Sequence, residues 1–287
     1  MSDQITTARS LEFTTRVQHL LQQRGSRTRS AVTEGSHTGK QAVPVDQIGL
    51  VTAQKKAGRH ADLPEIEVPH ARRWVTPQTY HFRDFIDNPD TLRQLWAPNN
   101  QYAVAFANAL GRAMDDEIIT ALNATSTTGE TGTGTEAFPA ANILGTVTVG
   151  MTVTKLRQAM EFFRSSEVDV ENEEMYCLLA SDQIEDLQNE TQMISLDYNS
   201  NRVLVDGKLT SFMGFNFIHS ERLNTDSNSD RQVLCFAKSG IHLGIWEDIR
   251  TPIDWLPEKQ SWQIAGVGDF GATRLELNKV VELPCSE

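Results

Sequence analysis

The chain has 287 residues, of which 39% are apolar and 22% charged, with a formal net charge of −12 at neutral pH. A chain of that length can bury about three quarters of its unfolded surface as one large or two modest domains, so core size is not limiting. No apolar run approaches the roughly 18 residues a membrane span needs, and MSDQITTARS lacks the apolar centre of a signal peptide, so a cytoplasmic protein with no membrane partner is expected.

The charge is unevenly spread. Residues 1–83 carry 12 Lys+Arg against 7 Asp+Glu, whereas the remainder carries 14 against 31. A basic front and an acidic body attract each other between copies of one molecule. Charge alone leaves nucleic-acid contact open as well. Cys177, Cys235 and Cys285 have no metal-ligand spacing, and the first two sit in apolar runs, which predicts buried, reduced thiols.

In chain order, residues 10–23 place Leu11, Val17, Leu20 and Leu21 at helical spacing, a short amphipathic helix that needs a partner surface. Residues 25–39 are rich in Ser, Thr, Arg and Gly and read as a connector. Residues 42–52 and 63–68 are extended runs around a polar segment, and Pro44, Pro64 and Pro69 keep this stretch out of helix. The pattern predicts a long β-hairpin with a basic tip at Lys55, Lys56, Arg59 and His60. It holds too little apolar matter for a core of its own, so it is expected to lie on another subunit.

Residues 74–86 alternate as a strand, with Tyr80, Phe82 and Phe85 inward. A turn at 87–89 and a helical turn over 90–97 lead into the element that organises the chain. From Pro98 to Asn123 the apolar residues recur every three or four positions, Phe106, Leu110, Met114 and Ile118 among them, which predicts one amphipathic helix. Asn99 or Asn100 can cap it. About 25 residues at roughly 1.5 Å each make a rod of about 37 Å, enough to serve as the spine of a subunit.

The Thr/Gly-rich segment after it, 124–145, reads as a surface loop. Residues 152–165 form a second amphipathic helix with Leu156, Ala159, Met160 and Phe163 inward. Residues 175–180 form a buried strand, and residues 181–183 cap a short helix running to Leu187. Strand, turn and strand are expected over 203–209, and strands over 212–218, 232–237 and 241–246. A polar loop covers 224–230, and a glycine-punctuated return occupies 261–283.

Motifs of chemistry are scarce. GSHTGKQ at 35–41 has three residues between its glycines where a phosphate loop has four, and Gln41 where the magnesium-binding hydroxyl belongs. The seven histidines form no metal-ligand spacing, so no metal and no cofactor are expected. His219, Ser220 and Glu221 alternate faces on a strand and do not make a triad. Asp115, Asp116 and Glu117 fan around the long helix, as a solvated face or subunit salt bridges would. No catalytic residue is assigned, and the protein is read as a non-enzyme. Two classes remain: a structural shell subunit, and an α+β enzyme or small-molecule binder with a loop-built site.

GKQAVPV at 39–45, RRWVTPQTYHFRDFID before the helix, NNQYAVAFANALGRAMDDEIITAL within it and the Thr/Gly loop after it resemble the major capsid proteins of tailed bacteriophages. This is the Hong Kong 97-like fold, and the chain looks most like the capsid proteins of short-tailed phages. The resemblance spans nearly the whole chain and rests on the order and lengths of elements. It implies an α+β fold with an N-terminal arm (1–36), an extended loop (37–73) and a peripheral domain (74–149) built on the spine helix 99–123. An axial domain (150–257) and a return strand (258–287) complete it. It further implies self-assembly through pentamers and hexamers into an icosahedral shell around double-stranded DNA bound without sequence preference. Scaffolding, portal and decoration proteins are implied as partners, with assembly in the host bacterial cytoplasm and residence in the virion. Encapsulin compartments share the fold and are the structural alternative. Lys40, Lys55 and Lys56 are available for the cross-link some relatives form, but nothing in the sequence pairs them, and no cross-link is expected.

Overall fold

The computed structural model describes residues 22–56, 58, 59, 65–87, 98–147, 149–190, 209–226, 228 and 230–286, with the backbone alone at 87 and 98–102. The expected arm helix, apart from its last two residues, lies outside the described residues. So do the turn beyond Asp87, the segment 90–97 and nearly all of 203–209. In chain order the elements are β1 (Thr33–Ser36), β2 (Asp46–Ile48), β3 (His70–Trp74), β4 (Gln78–Asp87), α1 (Pro98–Asn123), β5 (Ser126–Thr128), β6 (Gly134–Glu136), α2 (Val153–Ser165), β7 (Met175–Leu179) and α3 (Ser181–Asn189). They continue with β8 (Ser211–Phe212), β9 (Phe215–His219), β10 (Arg231–Ala237), β11 (Ile241–Arg250), β12 (Ile253–Leu256), β13 (Ser261–Arg274) and β14 (Val280–Cys285). The chain divides into two compact units, Met1–Ser26 with Thr79–Ala113 and Glu247–Gly268, and Arg27–Gln78 with Met114–Trp246 and Asp269–Glu287.

The spine helix α1 runs as the periodicity predicts. Leu110, Met114, Ile118 and Leu122 are buried, and Phe106 is half-buried with its ring 4.6 Å edge-on from Phe82 of β4. Along β4, Tyr80 and Phe82 are half-buried and Ile86, on the same face, is buried, while His81 and Arg83 face water. Phe85 has the opposite parity and lies half-buried under the Arg83 and Lys259 cations, which corrects its expected place beside Tyr80 and Phe82. β4 and β12 each pair with β13 in the first unit, where Trp255 and Trp262 meet directly across the β12–β13 pair with ring centres 5.3 Å apart.

In the second unit the sheet order is β14-β10-β7-β9-β8. Its core joins Leu156, Ala159, Met160 and Phe163 of α2 to inward residues of β7, β10 and β14. Thr152 begins α2, accepting the Lys155 N–H at 3.4 Å. The buried Lys155 ammonium donates to the carbonyls of Val149 (2.7 Å) and Pro284 (2.6 Å), which ties the end of β14 to this helix. Arg274 does the same for α1: its Nη1 donates to the carbonyls of Leu122 (2.8 Å) and Ala124 (2.9 Å), satisfying acceptors that a helix end leaves unpaired. Burial, with Arg73 nearby, pulls its pKa down to about 10.

Four expectations are corrected. Residues 212–218 are not one strand: Met213 (φ 51°) and Gly214 (φ 86°) turn the chain between β8 and β9, and two consecutive positive φ values make the tight turn that hairpins favour. Part of the Thr/Gly segment is structured, because β5 and β6 pair with each other and β5 with β3, giving a four-stranded sheet β2-β3-β5-β6. Ser181 does not cap α3; Ala180 holds that position, and the Gln183 side chain accepts its N–H at 3.2 Å. The return over 258–287 is two strands, β13 ending at Arg274 and β14 lying at the edge of the second unit's sheet against β10.

Candidate functional site

The extended loop is tied down at its base and bare beyond it. Asp46–Ile48 pairs with residues 70–72, the Gly49 N–H donates to the Pro69 carbonyl (2.7 Å), and Ala42 bridges Val75. Gln47 donates to the Leu275 carbonyl (2.9 Å), and Arg72 holds the Asp46 carboxylate at 2.6 Å, which keeps that exposed carboxyl below its usual range. The long hairpin expected from the two extended runs is thus a short ladder. Residues 50–56 and 65–69 carry no strand pairing, and Pro69 has no N–H to continue the ladder with.

Among the described residues, six apolar side chains of this loop lie in water: Val45, Ile48, Leu50, Val51, Ile66 and Val68, with Ile48 69% and Leu50 87% exposed. Covering such a side chain stabilises by about 1.5–3 kcal/mol when burial is complete. Apolar side chains exposed together in this number are the kind of surface that a partner covers. At the tip Lys55, Lys56 and Arg59 are exposed, and His60 lies outside the described residues.

The chain entering this region is gripped by a second face of α1. Asn108, Gly111, Arg112 and Asp115 fall at helical spacing. Asn108 Oδ1 accepts the Gly25 N–H (2.9 Å), and Arg112 Nη1 donates to Gln22 Oε1 (3.0 Å) and the Gln23 carbonyl (3.1 Å). A Cβ on residue 111 would stand 2.6 Å from the Gly25 carbonyl carbon, so only glycine lets the segment lie against the helix here. Further on, the Asp115 carboxylate accepts the N–H groups of Arg27 and Thr28 at 3.1 Å and the Thr28 hydroxyl at 2.7 Å. Asp115 is therefore fully buried, which corrects its reading as part of a solvated face. Its neighbour Asp116 pairs with Arg222 of the same chain at the surface. The signal for this second face was in the sequence, as polar and glycine residues at i, i+3, i+4 and i+7 opposite the apolar stripe.

Among the described residues, the Ser, His and Cys groups that the sequence singles out are bonded within the fold or buried. Glu221 accepts both the N–H (2.8 Å) and the hydroxyl of Ser181 at the start of α3, and the His219 Nε2–H at 2.7 Å. Burial alone would raise its pKa, but these bonds outweigh it and leave the carboxyl below the usual range. The Arg27 guanidinium occupies Nδ1 of His219 at 2.9 Å, so the serine hydroxyl meets a carboxylate and not an imidazole. Ser220 is buried. Cys177, Cys235 and Cys285 are all buried free thiols, with Cys177 and Cys235 directly opposite on β7 and β10. Burial pushes the Cys177 thiol well up, and Cys285 up to about 11. A cavity of about 790 Å³ at the loop base is lined by His70, Arg72 and Arg73 against Asp46, Glu130 and Glu136. Arg72 is taken by Asp46 and Arg73 by Glu136, so it offers little free charge to a small ligand. No helix of the described residues is long and apolar enough to cross a membrane.

An α+β chain with a long spine helix, an extended loop whose apolar side chains lie in water and a five-stranded sheet packed on a helix has the Hong Kong 97-like capsid fold. Its likeness to solved structures bears this out. The cyanophage P-SCSP1u capsid aligns with 99% of this chain and 94% of its own at 15% identity, with a TM-score of 0.78. The capsid of cyanophage Pam1 covers 98% and 97% at 14% identity (TM-score 0.76), and a chain of Mycobacterium phage Che8 covers 96% and 97% at 13% (TM-score 0.70). No curated protein matches the sequence. The sequence pattern of the phage capsid protein family matches residues 5–287, so the chain belongs to that family. Its function is that of a structural major capsid protein.

Proposed function

We propose that copies of this chain assemble as pentamers and hexamers into a closed icosahedral shell around double-stranded DNA, and that the extended loop is the limb by which each copy grips the next. The observation that carries this reading is the set of apolar side chains on residues 45–68 left in water by the chain alone. Lys55, Lys56, Arg59 and His60 at the tip contribute intersubunit contacts. Phe106, Leu110, Met114 and Ile118 give the spine its stiffness. In this reading residues 1–36 are the arm, 37–73 the extended loop, 74–149 the peripheral domain, 150–257 the axial domain around the capsomer centre, and 258–287 the return.

The role is non-enzymatic. The reactive side chains described above serve helix ends and backbone carbonyls, which supports it. The shell is built in the host bacterial cytoplasm and becomes the virion capsid, with scaffolding, portal and decoration proteins as partners. Membership of the phage capsid family favours DNA as the cargo over the enzymes of an encapsulin compartment, and a shell subunit over an α+β enzyme. Negative-stain electron microscopy of the purified protein tests this: uniform closed shells are expected, and a discrete monomer or dimer under every salt condition would overturn it.

A further inference from the structure

The segment GSHTGK, which fails as a phosphate loop, has a different use in the fold. Gly35 and Ser36 lie in β1, which runs parallel to β11 with Gly35 directly opposite Gly244. Two glycines in register leave a slot, and two imidazoles fill it. A Cβ on residue 35 would meet the His242 ring at 2.7 Å, and one on residue 244 would meet Trp246 at 2.8 Å and His37 at 2.9 Å. Nε2 of His37 and Nε2 of His242 stand 2.8 Å apart, and the His37 ring centre lies 5.4 Å from that of Trp246. Two further bonds fasten the same stretch, from the His37 N–H to the Ile245 carbonyl (2.9 Å) and from Trp246 Nε1 to the Gly39 carbonyl (2.8 Å).

We propose that the His37–His242 pair is an acid-released latch that holds the root of the extended loop against β11. One N–H between the two nitrogens makes the bond, whether the pair carries no extra proton or one. When both rings are protonated, two N–H donors and two positive charges face each other across the same short contact, and it becomes repulsive. Among the described residues nothing offsets that repulsion. His242 feels burial and His37, and His37 feels burial. On β1, Glu34 is held by Arg29, and Lys40 follows the latch. On β13, which pairs with the other side of β11, this unit carries Asp269 and Arg274, and neither acts on either ring.

The direction follows from linkage. Burial, then His37, lowers His242 from 6.5 to about 4, so the latched state binds its last proton more weakly than the released one. The latch is at full strength above pH 6.5 and weakens as pH falls from there towards 4. The release of residues 33–39 stands apart from the shell reading; only its consequence for a loop that grips a neighbour rests on that reading.

Hydrogen exchange on the unassembled full-length chain tests it, with rates corrected for the intrinsic effect of pH. Between pH 7.5 and 4.5 the amides of residues 33–37 should lose protection at least tenfold, while those of β7 and β10 keep theirs. In His37→Gln, which cannot take the second proton, that selective loss should vanish. Unchanged protection at 33–37 in the native chain, or an equal loss in a folded His37→Gln, would overturn the latch. Imidazole titration by NMR in the native protein covers the case in which the variant does not fold. A His242 that takes its proton well below 6 supports the latch, and two rings titrating independently near 6.5 contradict it. Because no shell is involved, failure here leaves the assembly reading standing, and failure of assembly leaves this test intact.

Discussion

Leu110→Asp is expected to abolish folding. Leu110 is 1% exposed on the inward stripe of α1 and lies beside the slot where Gly266 meets Phe82. Removing the isobutyl group costs about 2–5 kcal/mol in lost burial and residual cavity. A carboxylate in its place adds several kcal/mol more, through desolvation or through the proton it must take up. Against a typical total of about 5–15 kcal/mol, little or no folded population remains. The measurement is soluble yield and helical circular dichroism, both expected near zero. A soluble variant with the native spectrum would move the stripe out of the core.

Deleting residues 55–59 has the opposite expected signature: a folded subunit that does not assemble. Lys55, Lys56 and Arg59 touch no core, and the pairing that fixes the loop base lies at Asp46–Ile48 and His70–Trp74. The thermal midpoint should stay within a few degrees of the native value and the spectrum should stay native, whereas the yield of closed shells should fall at least tenfold under the proposal that the loop is the limb by which each copy grips the next. Loss of the native spectrum would show instead that the tip belongs to the fold. Normal shells would show that the grip lies elsewhere.

The two experiments separate what was readable in the sequence from what was not. The spine helix was legible to within a residue at each end, because 26 residues of consistent three-and-four spacing leave no competing period. The same holds for Val153–Ser165, where Thr152 marks the start and the apolar stripe names the buried residues. Failures came where one residue redirects the chain. A methionine with φ 51° does not announce a turn, so the hairpin at Met213 and Gly214 read as one strand. The β5–β6 hairpin was hidden by Thr/Gly repetition, since its strands of three residues are too short to show alternation.

The candidate site was legible in part for a similar reason. The extended loop stood out by what it lacks, a core, and sequence composition reports that directly. Its short ladder did not stand out, because extended residues look alike whether paired or not. Asp115 was misread because an acidic run suggests solvent, whereas three donors from Arg27 and Thr28 make burial of this one carboxylate favourable. The slot formed by Gly35 and Gly244 needs a register between residues more than two hundred positions apart, which one sequence does not contain.

The central claim is that the extended loop finds its footing on another copy. A photoreactive amino acid in place of Leu50, the most exposed large apolar residue among the described residues of the loop, tests it most directly in assembled particles. Irradiation is expected to yield covalent dimers, and mass spectrometry should locate the bond on a second chain. Cross-links formed only within single chains of intact shells would contradict it.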